Sequence, residues 1–145
     1  MLKTFFSDED KQLVLNAIKQ AETNTSGEIR VHVENHCKGD LMDRAAQVFA
    51  LLNMHKTALR NGVLFYLAVK DRKFAILGDA GINQVVPADF WEQIKTQMKQ
   101  QFANQEFAKG IADGIITSGS QLQQHFPYQS NDVNELSDDI SFKDN

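Results

Sequence analysis

Two hydrophobic periods alternate along the chain and predict a helix followed by a strand at its N-terminal end. The stretch beginning Ser-Asp-Glu-Asp places an acid three residues after a capping serine, and apolar residues then recur at helical spacing over about residues 8–22. Residues 28–34, EIRVHVE, alternate strictly, with Ile29, Val31 and Val33 on one face. The polar character of the other face predicts a strand close to an edge of its sheet, with His32 at the surface.

The next elements predict a crossover between parallel strands and then a hairpin. Asp40 is a suitable cap for a second helix, and residues 62–69, GVLFYLAV, form the longest uninterrupted apolar run in the chain. A strand that is apolar on both faces is expected at the centre of a sheet, covered by helices on both sides. Residues 73–78 then return antiparallel after a turn at Asp71-Arg72.

Two amphipathic helices complete the predicted body. Apolar residues step by four from Phe90 to about Asn104, and a last helix covers about residues 106–125, where Gly110 and Gly114 predict close helix packing. The fold class is therefore α/β, a three-layer sandwich with a mixed sheet of three to four short strands flanked by about four helices.

Charge separates the body from the C-terminal stretch. The net charge is −4, but residues 1–126 carry as many basic as acidic side chains, so the excess lies in residues 127–145. We predict one domain over residues 1–126 and a flexible acidic tail over 127–145, although Val133, Leu136 and Ile140 offer apolar positions for docking part of it.

Composition also limits the functional classes. The chain has no basic stripe of the kind that nucleic-acid binding requires, and no run of about 18 apolar residues to span a membrane. The N-terminal sequence lacks the apolar region of a signal peptide, and Cys37 is the single cysteine. We expect a soluble cytoplasmic protein without an organic cofactor.

The order of these motifs resembles that of the TPM domain family. The resemblance extends over about residues 5 to 126, and its most specific parts are TSGEIRVHVE, RNGVLFYLAVKDRKFAILGDAGIN and IADGIITSGSQL. The family is named after thylakoid lumen, photosystem II repair and acetylcholine-receptor auxiliary proteins. It implies a sheet between helices, and for some members acid phosphatase activity or divalent-cation binding. Many relatives also carry a signal peptide and a C-terminal membrane segment. We expect neither in this chain, which therefore resembles the stand-alone form.

Strand polarity predicts a candidate metal site at one rim of the sheet. If the first two strands are parallel and the third antiparallel, polar residues at their ends and at the following helix start collect together. These are Glu28, Asn61, Asp79, Asn83 and Asp89, with Arg60 beside them. Carboxylate and amide oxygens suit Ca²⁺ or Mg²⁺, and Gly78 and Gly81 allow a backbone to approach closely. The alternative is structural: Asp79 caps a turn, Glu28 pairs with Arg60, and Asp89 stabilises a helix N-terminus.

The opposite rim carries a weaker metal pattern. It contains Glu34, His36, Cys37, Asp40, Asp43 and Asp71. Paired Cys or His spacings typical of zinc are missing, and Asp40 as a helix cap explains most of the pattern.

Three functional hypotheses follow. The first is a TPM-like binding or accessory module with affinity for a divalent cation. The second is a metal-assisted phosphomonoester hydrolase using the same acids. The third is an interaction module that holds an unknown protein partner through a helix face and the acidic tail.

Overall fold

The computed structural model describes residues 5–128 and 139–145, which form a three-layer α/β sandwich around a mixed sheet. The helices are α1 (Asp8–Glu22), α2 (Leu41–Leu51), α3 (Ala80–Asn83), α4 (Phe90–Ala103) and α5 (Phe107–His125), with a 3₁₀ turn at Met54–Lys56. The strands are β1 (Glu28–Glu34), β2 (Gly62–Ala68), β3 (Lys73–Gly78) and β4 (Ser141–Lys143), in the spatial order β3-β2-β1-β4. The predicted fold class is confirmed.

The pairing of β1, β2 and β3 follows the prediction. Strand β2 lies parallel to β1, with Glu28 opposite Gly62, and antiparallel to β3, with Val63 opposite Gly78. All seven residues of β2 are buried, as its unbroken apolar sequence indicated. The turn into β3 is longer than the predicted two residues: Val69 and Lys70 donate backbone hydrogen bonds to Glu34 and Asn35, which extends the contact with β1.

Separate apolar cores lie on the two faces of the sheet. Helices α1, α4 and α5 cover one face, whose core includes Ile29, Val31 and Phe65. Helix α2 and the 3₁₀ turn cover the other, whose core includes Leu64 and Tyr66. The predicted close packing at the helical glycines is confirmed at α4, because a Cβ atom at Gly114 would lie 3.0 Å from Met98 Sδ.

Strand β1 lies next to the edge of the sheet, in agreement with the prediction, but it is not the outermost strand. Strand β4 pairs with β1 in parallel, with Ser141 opposite His32, so β1 lies between two neighbours. Ile140, one of the tail positions named as able to dock, is only 7% exposed and packs against the body. Local periodicity cannot reveal a three-residue strand that is stabilised by a distant partner. Val133 and Leu136 lie outside the described residues.

Candidate functional site

Three of the predicted metal ligands lie together at one end of the sheet. The Glu28 N–H donates to the Asn61 carbonyl at 3.4 Å, and the Asp79 N–H donates to the Gly62 carbonyl at 2.9 Å. Glu28, at the start of β1, and Asp79, directly after β3, thus lie on opposite sides of Gly62 in β2. We call Glu28, Arg60, Asn61 and Asp79 the Asp79 rim.

Asp79 is ionised and fully engaged at this rim. Its Oδ2 accepts from Arg60 Nε and its Oδ1 from Arg60 Nη2, both at 2.7 Å, and Oδ1 also accepts from the Ala80 N–H as the cap of α3. Burial raises the pKa of Asp79, but the hydrogen bonds and charge of Arg60 outweigh it and hold the pKa below its usual value. Asp79 was predicted to cap a turn, and it caps the single helical turn of α3, while the ion pair of Arg60 that the structure shows is with Asp79.

Arg60 is the accessible partner in this pair. Its side chain is 51% exposed, whereas that of Asp79 is 6% exposed. Its backbone is left-handed, with φ of 51°, and its carbonyl accepts from the Gly81 N–H at 2.8 Å. A Cβ atom at Gly81 would lie 2.2 Å from the Leu59 carbonyl oxygen, so glycine is required here. The close approach predicted for Gly81 is therefore made to the chain's own backbone.

The other two predicted ligands have local structural partners. Asn83 Nδ2 donates to the Gly78 carbonyl and its Oδ1 accepts from Trp91 Nε1, each at 2.8 Å. Asp89 Oδ2 accepts from Gln93 Nε2 at 2.8 Å on α4. Within residues 5–128 and 139–145, no group of three or more His, Cys, Asp or Glu side chains is arranged to hold a metal ion.

A buried ionic cluster at the other end of β1 was not predicted. Glu34 is fully buried, and Arg44 binds it through Nε to Oε2 at 2.9 Å and Nη2 to Oε1 at 2.8 Å. The Tyr66 hydroxyl also donates to Oε2, and His32 Nε2 lies 3.0 Å from Oε1. We call His32, Glu34, Arg44 and Tyr66 the Glu34 cluster.

The protonation states in the Glu34 cluster follow from its partners. Burial raises the pKa of Glu34, but hydrogen bonds from Arg44, Tyr66 and His32 outweigh it and lower the pKa to about 2. Burial and the Glu34 charge raise the pKa of Tyr66, which keeps the phenol neutral as a donor. Burial lowers the pKa of His32, so its imidazole is neutral, with Nε2 carrying the proton that the carboxylate accepts.

The expectation that His32 lies at the surface is wrong. The residue is 6% exposed, because β4 pairs with β1 on one side and Tyr66 stacks on the ring with centroids 6.0 Å apart. The available sequence signals were Tyr66 in the central strand, two polar residues at alternate β1 positions, and Arg44 on the covering helix. In a parallel register these side chains share one face of the sheet.

The opposite rim has a structural explanation. His36 Nδ1 lies 2.9 Å from Asp71 Oδ1, and the Cys37 N–H donates to Asp71 Oδ2 at 2.7 Å. Asp40 accepts from the Asp43 N–H at 3.0 Å, which confirms the predicted cap of α2. Asp71 thus ties the loop after β1 to the β2–β3 turn.

Comparison with known proteins identifies the family. The family model described as the TPM domain matches residues 2–120, which is most of the chain. This chain belongs to the TPM domain family. No curated protein sequence matches it. None of the described helices combines the length and apolar composition that crossing a membrane requires.

Solved structures show the same fold. The BA42 protein from the psychrophilic bacterium Bizionia argentinensis is 43% identical, with 99% of each chain covered and a TM-score of 0.90. The N-terminal domain of cg2496 from Corynebacterium glutamicum is 15% identical, covering 90% of this chain and 81% of that one, with a TM-score of 0.65. A P. gingivalis N-terminal domain is 16% identical, covering 86% and 83%, also with a TM-score of 0.65. These two distant likenesses concern the fold alone.

Proposed function

We propose that this TPM domain is a binding module that takes up a divalent cation, Ca²⁺ or Mg²⁺, at the Asp79 rim. The supporting observation is the register of the first three strands, which places Glu28 and Asp79 on either side of Gly62. Both residues are largely buried, and the Asp79 carboxylate is held in position by its hydrogen bonds from Arg60 and the Ala80 N–H. Two acids, one amide and water molecules form a sparse oxygen set, which suits weak rather than tight binding.

Cation binding at this rim requires Arg60 to leave Asp79. Both Asp79 oxygens accept from the guanidinium, so a cation and Arg60 compete for the same atoms. The half-exposed Arg60 side chain has solvent on one side into which it can move. Solvent screens an ion pair whose guanidinium is half exposed, so this competition weakens cation binding only modestly.

Titration of Ca²⁺ and Mg²⁺ into ¹⁵N-labelled protein tests the proposal. We expect saturable amide shifts at Glu28, Asn61 and Asp79 at millimolar metal, and their loss in Asp79→Asn. Arg60→Gln frees the carboxylate and should tighten binding by about two- to fivefold. Asp43→Asn is the charge-matched control, because Asp43 is exposed at the start of α2, beyond the other end of β1.

Two outcomes would reject this site. The first is an absence of saturable shifts at millimolar metal; the second is unchanged shifts in Asp79→Asn. Hydrolysis of an aryl phosphate that requires the metal and disappears in Asp79→Asn would instead support the alternative, a phosphomonoester hydrolase at the same rim.

A further inference from the structure

The segment Asp139–Asn145, here the C-terminal segment, is held on β1 in the way that a protein binds an extended peptide. Its ladder with β1 is short, since only Ser141–Lys143 pair, in parallel with residues 32–34. Strand addition of this kind takes affinity from backbone hydrogen bonds and specificity from alternate side chains. With so short a ladder, side-chain contacts have a large part in holding the segment.

Alternate side chains of the segment make contacts on opposite faces of the sheet. Ile140 and Phe142 pack against the core beneath α1 and α5, and Lys11 Nζ lies 5.8 Å from the centre of the Phe142 ring. On the other face, Ser141 Oγ lies 2.9 Å from His32 Nδ1. Because His32 Nε2 donates to Glu34, Nδ1 accepts from the serine hydroxyl, so the Glu34 cluster fixes this recognition point.

The end of the segment is clamped by side-chain amides. Asn145 Oδ1 accepts from the backbone N–H groups of Asn35 at 2.9 Å and His36 at 3.0 Å, and its Nδ2 donates to the His36 carbonyl at 2.9 Å. Asp144 Oδ1 accepts from Asn35 Nδ2 at 2.8 Å. The β1 edge therefore recognises a specific sequence pattern and not only an extended backbone.

The segment lies beyond the stretch of the chain that the family model matches. The family match ends at residue 120, and within it β1 is the outer strand of β3-β2-β1. Ten residues, 129–138, connect Tyr128 to the segment. An outer strand without its neighbour offers unpaired N–H and C=O groups to any matching strand.

We propose that the β1 edge is a strand-accepting site whose partner is the C-terminal segment of a second copy of this chain. Two chains can then exchange segments reciprocally, which closes a symmetric dimer with the contacts already seen in one chain. In the natural chain the segment is tethered at an effective concentration of about millimolar, so the intrachain arrangement dominates at micromolar protein.

Shortening the connection between Tyr128 and the C-terminal segment distinguishes docking within one chain from exchange between two chains. The Tyr128 N–H donates a hydrogen bond to the Asn24 carbonyl, before β1 begins. At the start of the segment, the Asp139 carbonyl accepts a hydrogen bond from Arg30 Nη2 inside β1. Six residues separate these levels, which at about 3.3 Å per residue corresponds to about 20 Å, too far for one peptide step of about 3.8 Å. Deleting residues 129–138 therefore prevents intrachain docking. The expected product is a dimer of twice the monomer mass by light scattering, with contacts between the His32 ring and Ser141 in an isotope-filtered NOESY of mixed labelled and unlabelled chains.

Two controls accompany the deletion. Replacing residues 129–138 with ten Gly and Ser residues should leave the protein monomeric, because length is kept. Adding Phe142→Asp to the deletion should abolish the dimer, because the aromatic anchor is lost. A folded monomeric deletion variant with random-coil shifts over residues 139–145 would overturn the proposal, as would a dimer whose segment shows those shifts.

A second experiment decides the matter if the deletion variant does not fold. The full chain carrying Ile140→Asp and Phe142→Asp cannot dock its own segment and is titrated with a synthetic peptide of residues 139–145. Saturable amide shifts over residues 30–36 are expected, and a peptide with the same two Asp substitutions should produce none. Absence of shifts at several millimolar natural peptide, with the variant folded, would refute the strand-accepting site.

Discussion

Replacing Glu34 with glutamine measures how much the Glu34 cluster stabilises the fold. The carboxylate has a pKa of about 2 in the folded protein against a usual value of 4.5. That difference, at about 1.4 kcal/mol for each pH unit, corresponds to about 3 kcal/mol of stability at neutral pH. The substitution also leaves Arg44, whose side chain is 10% exposed, without its counter-charge. Breaking a buried ion pair by removing one partner costs about 3–5 kcal/mol, in agreement with the linkage figure.

The pH dependence of the stability difference distinguishes the Glu34 carboxylate from the other acidic side chains. A carboxylate whose pKa is lowered on folding stabilises the protein above its unfolded pKa, and that stability is lost as the pH falls toward the folded pKa. The stability difference between natural protein and Glu34→Gln should therefore be about 3 kcal/mol at pH 7. It should shrink from about pH 4.5 downward and nearly vanish near pH 2.

Urea denaturation at pH 7 and at intervals down to pH 3 is the appropriate assay. Glu92→Gln is the matched control, because Glu92 is exposed and pairs with Lys95 at 3.4 Å on the surface of α4; it should stay within about 0.5 kcal/mol of the natural protein. Adding Arg44→Met to Glu34→Gln should recover stability by removing the uncompensated charge. A difference of under 1 kcal/mol at pH 7, or one that persists unchanged at pH 3, would refute the reasoning.

Two further perturbations test other parts of the fold. Gly81→Ala should lose about 3 kcal/mol or more in urea denaturation, because its Cβ would meet backbone atoms of Leu59 and Arg60 that cannot move aside. Gly39→Ala should lose only about 1–2 kcal/mol, because φ of 76° is strained but no neighbour lies within 4 Å. Equal losses would contradict the contact argument. Because burial lowers the pKa of His32, stability should fall as the pH drops from about 6.5 toward that lowered value, and His32→Gln should flatten this slope. An NMR titration midpoint for His32 above 6.5 would reverse the predicted sign.

The elements with strong local patterns were predictable from the sequence. The predicted bounds of α1, β1 and β3 agree with the structure, because capping residues and hydrophobic period mark them within a few residues. The parallel orientation of β1 and β2 was predicted from the crossover between them, and the structure adds the register, with Glu28 opposite Gly62. That register also brought Glu28, Asn61 and Asp79 together as predicted, although their roles as metal ligands stay a prediction.

The sequence could not reveal β4 or what it buries. Ser-Phe-Lys is too short for a period, and the strand is stabilised by pairing with residues about 110 positions earlier. The alternation of β1 was then interpreted as exposure of one face. A face bearing His32 and Glu34 is equally compatible with a buried ionic cluster, and only the positions of Arg44 and Tyr66 decide between the two.

The two ends of β1 show the same ion pair in opposite surroundings. Asp79 and Glu34 each receive two hydrogen bonds from one guanidinium, but Arg60 is 51% exposed and Arg44 only 10%. Solvent screens the Arg60–Asp79 pair and competes for its hydrogen bonds. The Arg44–Glu34 pair is buried, and its carboxylate also accepts hydrogen bonds from His32 and Tyr66. Exchange of Arg60 for a cation therefore disturbs little of the fold, while any ligand of Glu34 would first have to break the cluster. This contrast is why we place the proposed cation at Asp79, and why the Glu34 cluster is suited to fixing His32 for the strand on β1.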